Sequence, residues 1–129
     1  MSEDQVRGVV VAHGQMADGL VDAVHRISGE GDALVALSNE GLGPEALFER
    51  LENLMGPGPS VVFTDLETGS CALAARVVCK DPVRRAVICG TNLPMLLDFV
   101  FHRKMPLETL VPRVVEKGKA GIRISPNRE

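Results

Sequence analysis

The sequence predicts an α/β fold, built as a doubly wound, mostly parallel sheet with helices on both faces and an antiparallel edge strand. Short apolar runs rich in β-branched residues alternate with segments whose apolar residues recur at helical spacing. Two of these runs, VVV at 9–11 and VVF at 61–63, contain no polar position, as is typical of parallel strands buried on both faces. Strands separated by helices favour right-handed crossovers and therefore a parallel sheet.

The elements follow one another in the order βαβαβαβααβ. Strands are predicted at 6–12, 33–37, 60–64, 85–89 and 121–125, and helices at 16–27, 44–55, 70–79, 94–102 and 107–118. Glycine and proline punctuate the boundaries, most clearly in GPGP at 56–59. The last strand, GIRIS, alternates apolar and polar residues, which indicates a half-exposed, antiparallel edge. No repeat or linker interrupts the pattern, so residues 1–129 are predicted to form one domain.

Composition narrows the possible functions. The formal net charge of the 129 residues is −3, which argues against a general nucleic-acid binder. The sequence contains no run of about 18 apolar residues, and it starts with the polar, acidic MSEDQ. We therefore expect neither a membrane span nor a secretory signal, and a cytoplasmic location.

The cysteines predict no disulfide and no metal centre. There are three of them, Cys71, Cys79 and Cys89, without a CxxC spacing. An odd number of scattered cysteines is typical of small, reduced core residues. We expect no metal and no cofactor.

His13 is the first candidate for chemistry. It ends the first predicted strand, where open α/β sheets bind their ligands, and Gly14 then allows a sharp turn into the first helix. Asp65 ends a neighbouring strand and could accept the proton of one imidazole nitrogen, leaving the other nitrogen nucleophilic. Ser70 can cap the third helix, and free N–H groups at helix starts favour an anion. From these stretches alone, a structural histidine and a turn aspartate remain open interpretations.

The motif inventory favours phosphoryl transfer. The chain has no GxSxG nucleophile elbow, no GxGxxG sequence and no Walker sequence. A single histidine with an aspartate and helix N-termini suits a transiently phosphorylated imidazole.

Three separated motifs carry a family resemblance: VVVAHGQMADGL at 9–20, FTDLETGSC at 63–71 and CGTNLPMLLDFV at 89–100. Together with KAGIRI at 119–124, they make the whole chain similar to the IIA domain of the mannose-type sugar phosphotransferase system (PTS).

The resemblance implies a fold, a function and a set of site residues. The fold is the doubly wound domain described above, as a homodimer whose last strand is an antiparallel edge. His13 would accept a phosphoryl group from the phosphocarrier HPr and pass it to a IIB component for sugar uptake, with Asp65 orienting the imidazole. Glycines and polar residues would surround the phosphoryl group: Gly14, Gly69, Ser70 and Asn92. The chain would approach a membrane only indirectly, through a permease complex.

The third-helix loop departs from the family pattern. Thr68-Gly69-Ser70-Cys71 stands where Gly-Gly-Ser-Pro is usual, Glu67 replaces an apolar or aromatic residue, and Ala12 replaces a hydroxyl residue. The departures favour an alternative in which the phosphohistidine is a regulatory signal without transport. Two less favoured interpretations are a carrier serving dihydroxyacetone kinase and a histidine phosphatase. The R-H-G motif of histidine phosphatases would need arginine at residue 12, where this chain has alanine.

Overall fold

The computed structural model describes residues 5–30, 32–126 and 128. The strands are β1 (Arg7–Ala12), β2 (Leu34–Ser38), β3 (Ser60–Thr64) and β4 (Arg85–Cys89). The helices are α1 (Met16–Ser28), α2 (Pro44–Met55), α3 (Ser70–Val78), α4 (Leu93–Phe101) and α5 (Leu107–Ala120). All strand pairs are parallel, in the order β2-β1-β3-β4.

The two central strands, β1 and β3, are buried on both faces, which is why their sequences are continuously apolar. Val10 and Phe63 point into one core with residues of α1, α4 and α5. Val9 and Val62 point into a second core with residues of α2 and α3. The helices thus cover both faces of the sheet, and the predicted doubly wound parallel fold is confirmed.

Gly8 allows α4 to pack closely on the sheet. A Cβ at this position would lie 2.5 Å from Cε2 of Phe99 and 2.6 Å from Cδ2 of Leu34. The Phe99 ring also meets Phe63 edge to face, with centroids 5.1 Å apart. The absence of a side chain at residue 8 therefore fixes how deeply the aromatic pair sits.

Most element boundaries agree with the sequence prediction. The predicted ranges of α2, β3 and β4 match at both ends, and the other helices and strands shift by one or two residues. None of the helices that the structure describes is both long and apolar enough to cross a membrane.

The antiparallel edge strand predicted at 121–125 does not form, and this prediction is wrong for the single chain. Helix α5 continues to Ala120, and the N–H of Gly121 still donates to the carbonyls of Lys117 and Gly118. Beyond it, Ile122 and Ile124 are 74% and 65% exposed. The residues alternate as in a strand, but residues 121–125 pair with neither edge strand of the sheet, β2 or β4.

Candidate functional site

The carboxyl ends of β1 and β3 bring His13 and Asp65 together. The register pairs Val11 with Thr64, so the residues that leave the two strands lie side by side. The backbone N–H of His13 donates to Oδ2 of Asp65 at 2.9 Å, and Nδ1 of the same residue lies 2.8 Å from that oxygen. One carboxylate oxygen thus holds both the main chain and the ring of His13.

The Asp65 carboxylate is the buried member of the pair. Its side chain is 8% exposed, and its other oxygen accepts the N–H of Leu66 at 3.0 Å. Burial alone would raise its pKa, but the hydrogen bonds from His13 and Leu66 and the charge interaction with His13 outweigh burial and lower the pKa below its usual value. Asp65 is therefore held as an acceptor-only carboxylate.

The imidazole of His13 offers its second nitrogen to solvent. Because a carboxylate can only accept, the neutral ring carries its proton on Nδ1, and Nε2 keeps its lone pair. The side chain is 43% exposed. A Cβ at Gly69 would lie 3.6 Å from Nε2 and 3.5 Å from Cε1, so the main chain at the start of α3 passes beside the free nitrogen.

Gly69, rather than Ser70, is the N-cap residue of α3, and no side chain caps this helix. The predicted capping role of Ser70 is therefore wrong, since Ser70 is the first helical residue. Gly69 has φ +95°, a conformation that favours glycine, and it turns the chain toward His13. The first N–H groups of α3 have no acceptor within the helix and start next to Nε2.

Gly14 is fixed by the loop that follows β2. Its N–H donates to Oδ1 of Asn39 at 3.2 Å, and its carbonyl accepts from Oγ of Ser38 at 2.7 Å. Its φ of +60° confirms the predicted sharp turn between β1 and α1. The sequence prediction assigns Ser38 and Asn39 no specific role. Their position at the end of β2 is the available signal.

Side-chain hydrogen bonds also fix the loop between β3 and α3. Oγ1 of Thr64 donates to the carbonyl of Leu66 at 2.8 Å, and Nη2 of Arg76 donates to the carbonyl of Glu67 at 2.6 Å. Oγ1 of Thr91 donates to the carbonyl of Thr64 at 2.7 Å, which ties this loop to the end of β4. The loop carries Gly69 past the imidazole in a defined path.

Asn92 lies at the same edge of the sheet but serves the helices. Its Oδ1 accepts the N–H of Met95 at 3.2 Å, as the N-cap of α4, and its Nδ2 donates to the carbonyl of Gly118 in α5 at 2.9 Å. Both ends of the amide are thus used by α4 and α5. A contact with the phosphoryl group stays a prediction.

Cys71 combines a core position with a place at the site. It is fully buried, as predicted, whereas Cys79 and Cys89 are only half-buried. Its Sγ lies 3.9 Å from Nδ1 of His13. Burial, and after it the negative charge of Asp65, raises the pKa of the thiol, while a hydrogen bond with Ser70 opposes this. The sequence prediction missed this contact, although the first turn of a helix that starts at the site is a signal for it.

The arrangement provides a nucleophilic nitrogen with an oriented, charge-stabilised ring. The His13 ring is partly exposed, Nδ1–H is held by a buried carboxylate, and an uncapped helix starts beside the free nitrogen. Such a site can attack an electrophile that carries negative charge, and phosphorus in a phosphoryl group is the electrophile that helix N-termini favour.

Solved structures of the same fold come from several bacteria. The phosphotransferase system component EIIA from Streptococcus agalactiae is 24% identical, with a TM-score of 0.85 over 92% of this chain and 96% of its own. The mannose/sorbose-specific IIA subunit from Enterococcus faecalis is 19% identical, with a TM-score of 0.82 over 97% and 98% of the two chains. A sigma-54 interaction domain protein from Enterococcus faecalis is 16% identical, with a TM-score of 0.74 over 92% and 94%.

Similarity at this level of identity establishes the fold. No curated protein matches the chain. A family model does match, over residues 8–115, which include nearly all of β1, the whole of β3, His13, Asp65 and α4. The chain therefore belongs to the EIIA-man family, described as the PTS system fructose IIA component.

Proposed function

We propose that the chain is a cytoplasmic phosphocarrier, a phosphotransferase that works through a phosphohistidine. Nε2 of His13 accepts a phosphoryl group from phosphorylated HPr and passes it to a IIB component for sugar uptake. The observation that carries the proposal is the 2.8 Å contact between Nδ1 of the exposed His13 and the buried Asp65. It leaves the outward nitrogen with a lone pair and the inward nitrogen with the proton.

The transfer conserves protons at the site. The lone pair of Nε2 attacks phosphorus, a new N–P bond forms, and the N–P bond to the HPr histidine breaks. The proton on Nδ1 stays there, and Asp65 remains ionised and stabilises the positive charge that develops on the ring. The first N–H groups of α3 favour the incoming phosphoryl oxygens. Positioning and electrostatics supply most of the catalysis in such a transfer.

Phosphorylation with purified components tests the proposal. Incubation with enzyme I, HPr and phosphoenolpyruvate should add one acid-labile phosphoryl group to the wild-type chain and none to His13→Ala. The matched control is His25→Ala, because His25 is exposed and lies in the last turn of α1, whereas His13 precedes that helix. Stable labelling of His13→Ala, or loss of labelling in His25→Ala, would contradict the assignment.

A regulatory role for the phosphohistidine is the second candidate. The observation that favours it is the sigma-54 interaction domain protein, which has the same fold. The phosphorylated chain distinguishes the two roles. A carrier discharges its label when a IIB component is added, whereas a signalling domain keeps its label.

We also propose a homodimer. The apolar residues of α4 do not support a dimer, because Leu96, Phe99 and Val100 are buried within the same chain. The exposed Ile122 and Ile124 remain as support, since a second copy would remove them from water. Light scattering at micromolar concentration should give twice 13.8 kDa. Replacing both isoleucines with serine should shift the mass to the monomer.

A further inference from the structure

Three different metal-ligating atoms converge behind the imidazole of His13. Nδ1 of His13, a carboxylate oxygen of Asp65 and Sγ of Cys71 all lie within 4.8 Å of one another. They come from three separate elements, namely the end of β1, the end of β3 and the first turn of α3. The phosphoryl transfer described above uses the imidazole and the carboxylate, and the thiol of Cys71 takes no part in it.

The donor set selects the class of ion. A thiolate, an imidazole and a carboxylate are ligands of Zn²⁺ and related thiophilic divalent cations, whereas Mg²⁺ and Ca²⁺ prefer oxygen. Zinc bonds of about 2.0–2.3 Å place two tetrahedral ligands roughly 3–4 Å apart. The distance from Nδ1 to Oδ2 is 2.8 Å and that from Nδ1 to Sγ is 3.9 Å, so these two separations already lie close to that range.

We propose that Nδ1 of His13, Asp65 and Cys71 bind one Zn²⁺-like cation, and that the bound ion prevents phosphoryl acceptance. The binding of the cation is argued from the three converging donors alone, whereas the inhibition of phosphoryl acceptance rests on the proposed function. A water molecule would supply the fourth ligand, as in three-ligand zinc sites.

The position of the imidazole proton explains the inhibition. In the free site the neutral imidazole carries its proton on Nδ1, and Nε2 holds the lone pair. When Nδ1 binds the cation, the neutral ring carries its proton on Nε2 instead, so that this nitrogen has no lone pair for phosphorus. The cation also displaces the thiol proton of Cys71, and one proton leaves for solvent. The +2 charge of the ion is then balanced by the thiolate and the carboxylate.

Cobalt binding tests the site without any phosphoryl transfer. Co²⁺ replaces Zn²⁺ in such sites and gives a near-ultraviolet charge-transfer band when it bonds to thiolate. We expect the wild-type chain to develop this band with one equivalent of Co²⁺, and Zn²⁺ but not Mg²⁺ to abolish it. Cys71→Ala should lose the band, while Cys89→Ala, which changes a half-buried cysteine at the end of β4, should keep it. A band retained in Cys71→Ala, or no band in the wild type, would overturn the site.

The wild-type chain provides a second readout that needs no variant. Imidazole ¹⁵N shifts should report the proton on Nδ1 in a chelating buffer and on Nε2 after one equivalent of Zn²⁺. Unchanged ¹⁵N shifts at saturating Zn²⁺ would overturn the coordination through Nδ1.

Transfer kinetics test the inhibition. The rate of acceptance from phosphorylated HPr should be at least about tenfold lower in saturating Zn²⁺ than in chelator for the wild type. The same ratio should be close to one for Cys71→Ala, with circular dichroism verifying its fold. Equal rates in a wild-type chain that shows the cobalt band would refute the inhibition. A chain that shows the band but accepts no phosphoryl group even with chelator would refute the proposed function and leave the metal site standing.

Discussion

The end of β3 and the end of β4 lie next to each other in the sheet, yet they use their polar residues differently. After β3, Asp65 turns its carboxylate to the main chain and ring of His13. After β4, the hydroxyl of Thr91 donates to the carbonyl of Thr64, and the side-chain amide of Asn92 bonds to helices α4 and α5. Both stretches are polar and follow short strands, so their sequences look alike.

The two strand ends differ in where the hydrogen-bond partners of their polar side chains lie. A helix start needs an acceptor for its first N–H groups, and Asn92 provides one for α4. The start of α3 has no such side chain, and its first N–H groups stay available beside Nε2 of His13. A polar residue at a strand end therefore serves a site only when the neighbouring helix does not use it.

Asp65→Asn should produce the largest effect. The amide NH₂ can donate to Nδ1 and so favours the imidazole tautomer with its proton on Nε2, as in serine proteases with the same change at their aspartate. We expect phosphoryl acceptance from HPr to slow at least about 100-fold, a loss of roughly 2.7 kcal/mol in the barrier. Single-turnover transfer measures it.

A second buried aspartate beside a histidine provides the matched control. Asp98 lies 3.4 Å from Nδ1 of His102 and binds Arg113 through both oxygens. Asp98→Asn should lower the free energy of unfolding but keep the transfer rate. A folded Asp65→Asn protein with a rate within threefold of wild type would show that Asp65 is only a turn residue.

Gly69→Ala should have an intermediate effect, and Gly90→Ala is its control. Both glycines have positive φ, so each substitution costs about 1 kcal/mol or more in stability. Only at residue 69 would the methyl group lie beside Nε2 of His13, since nothing lies within 4 Å of a Cβ at Gly90. We expect acceptance to slow about tenfold in Gly69→Ala alone. Equal slowing in both variants would mean that backbone strain, and not the methyl group, is responsible.

Asn92→Ala should affect stability more than transfer. The loss of the α4 cap and of the bond to Gly118 should lower the free energy of unfolding by about 1–2 kcal/mol in urea denaturation. The transfer rate should change less than about threefold, or roughly 0.65 kcal/mol. A rate loss comparable with that of Asp65→Asn would instead support the predicted contact between Asn92 and the phosphoryl group.

Acid should remove the stabilising contribution of Asp65. The folded pKa of this carboxyl is lowered, so its contribution is complete above the unfolded value of about 3.9 and is lost as pH falls through the folded pKa. The difference in unfolding free energy between wild type and Asp65→Asn should therefore shrink below about pH 4. A difference that stays constant from pH 7 to pH 3 would contradict the lowered pKa.

Local patterns predicted the elements and the pair at the centre of the site. Continuous apolar runs identified β1 and β3, and the parallel register then placed His13 beside Asp65. The sequence could not show that Cys71 reaches back to His13, because this contact depends on how α3 docks on the sheet. The alternation at 121–125 predicted a strand, but pairing is a tertiary property that alternation does not contain.

The two hydrogen bonds between Asp65 and His13 limit how the imidazole can move during turnover. Because one oxygen binds both the main chain and the ring of the same residue, the imidazole has little freedom to swing between two positions. A phosphoryl group on Nε2 would point in one fixed direction, and the donor and the acceptor would have to approach along that same line. The two partner proteins would therefore exclude each other and take turns. Steady-state kinetics should then follow a double-displacement pattern, in which each partner at high concentration competes with the other.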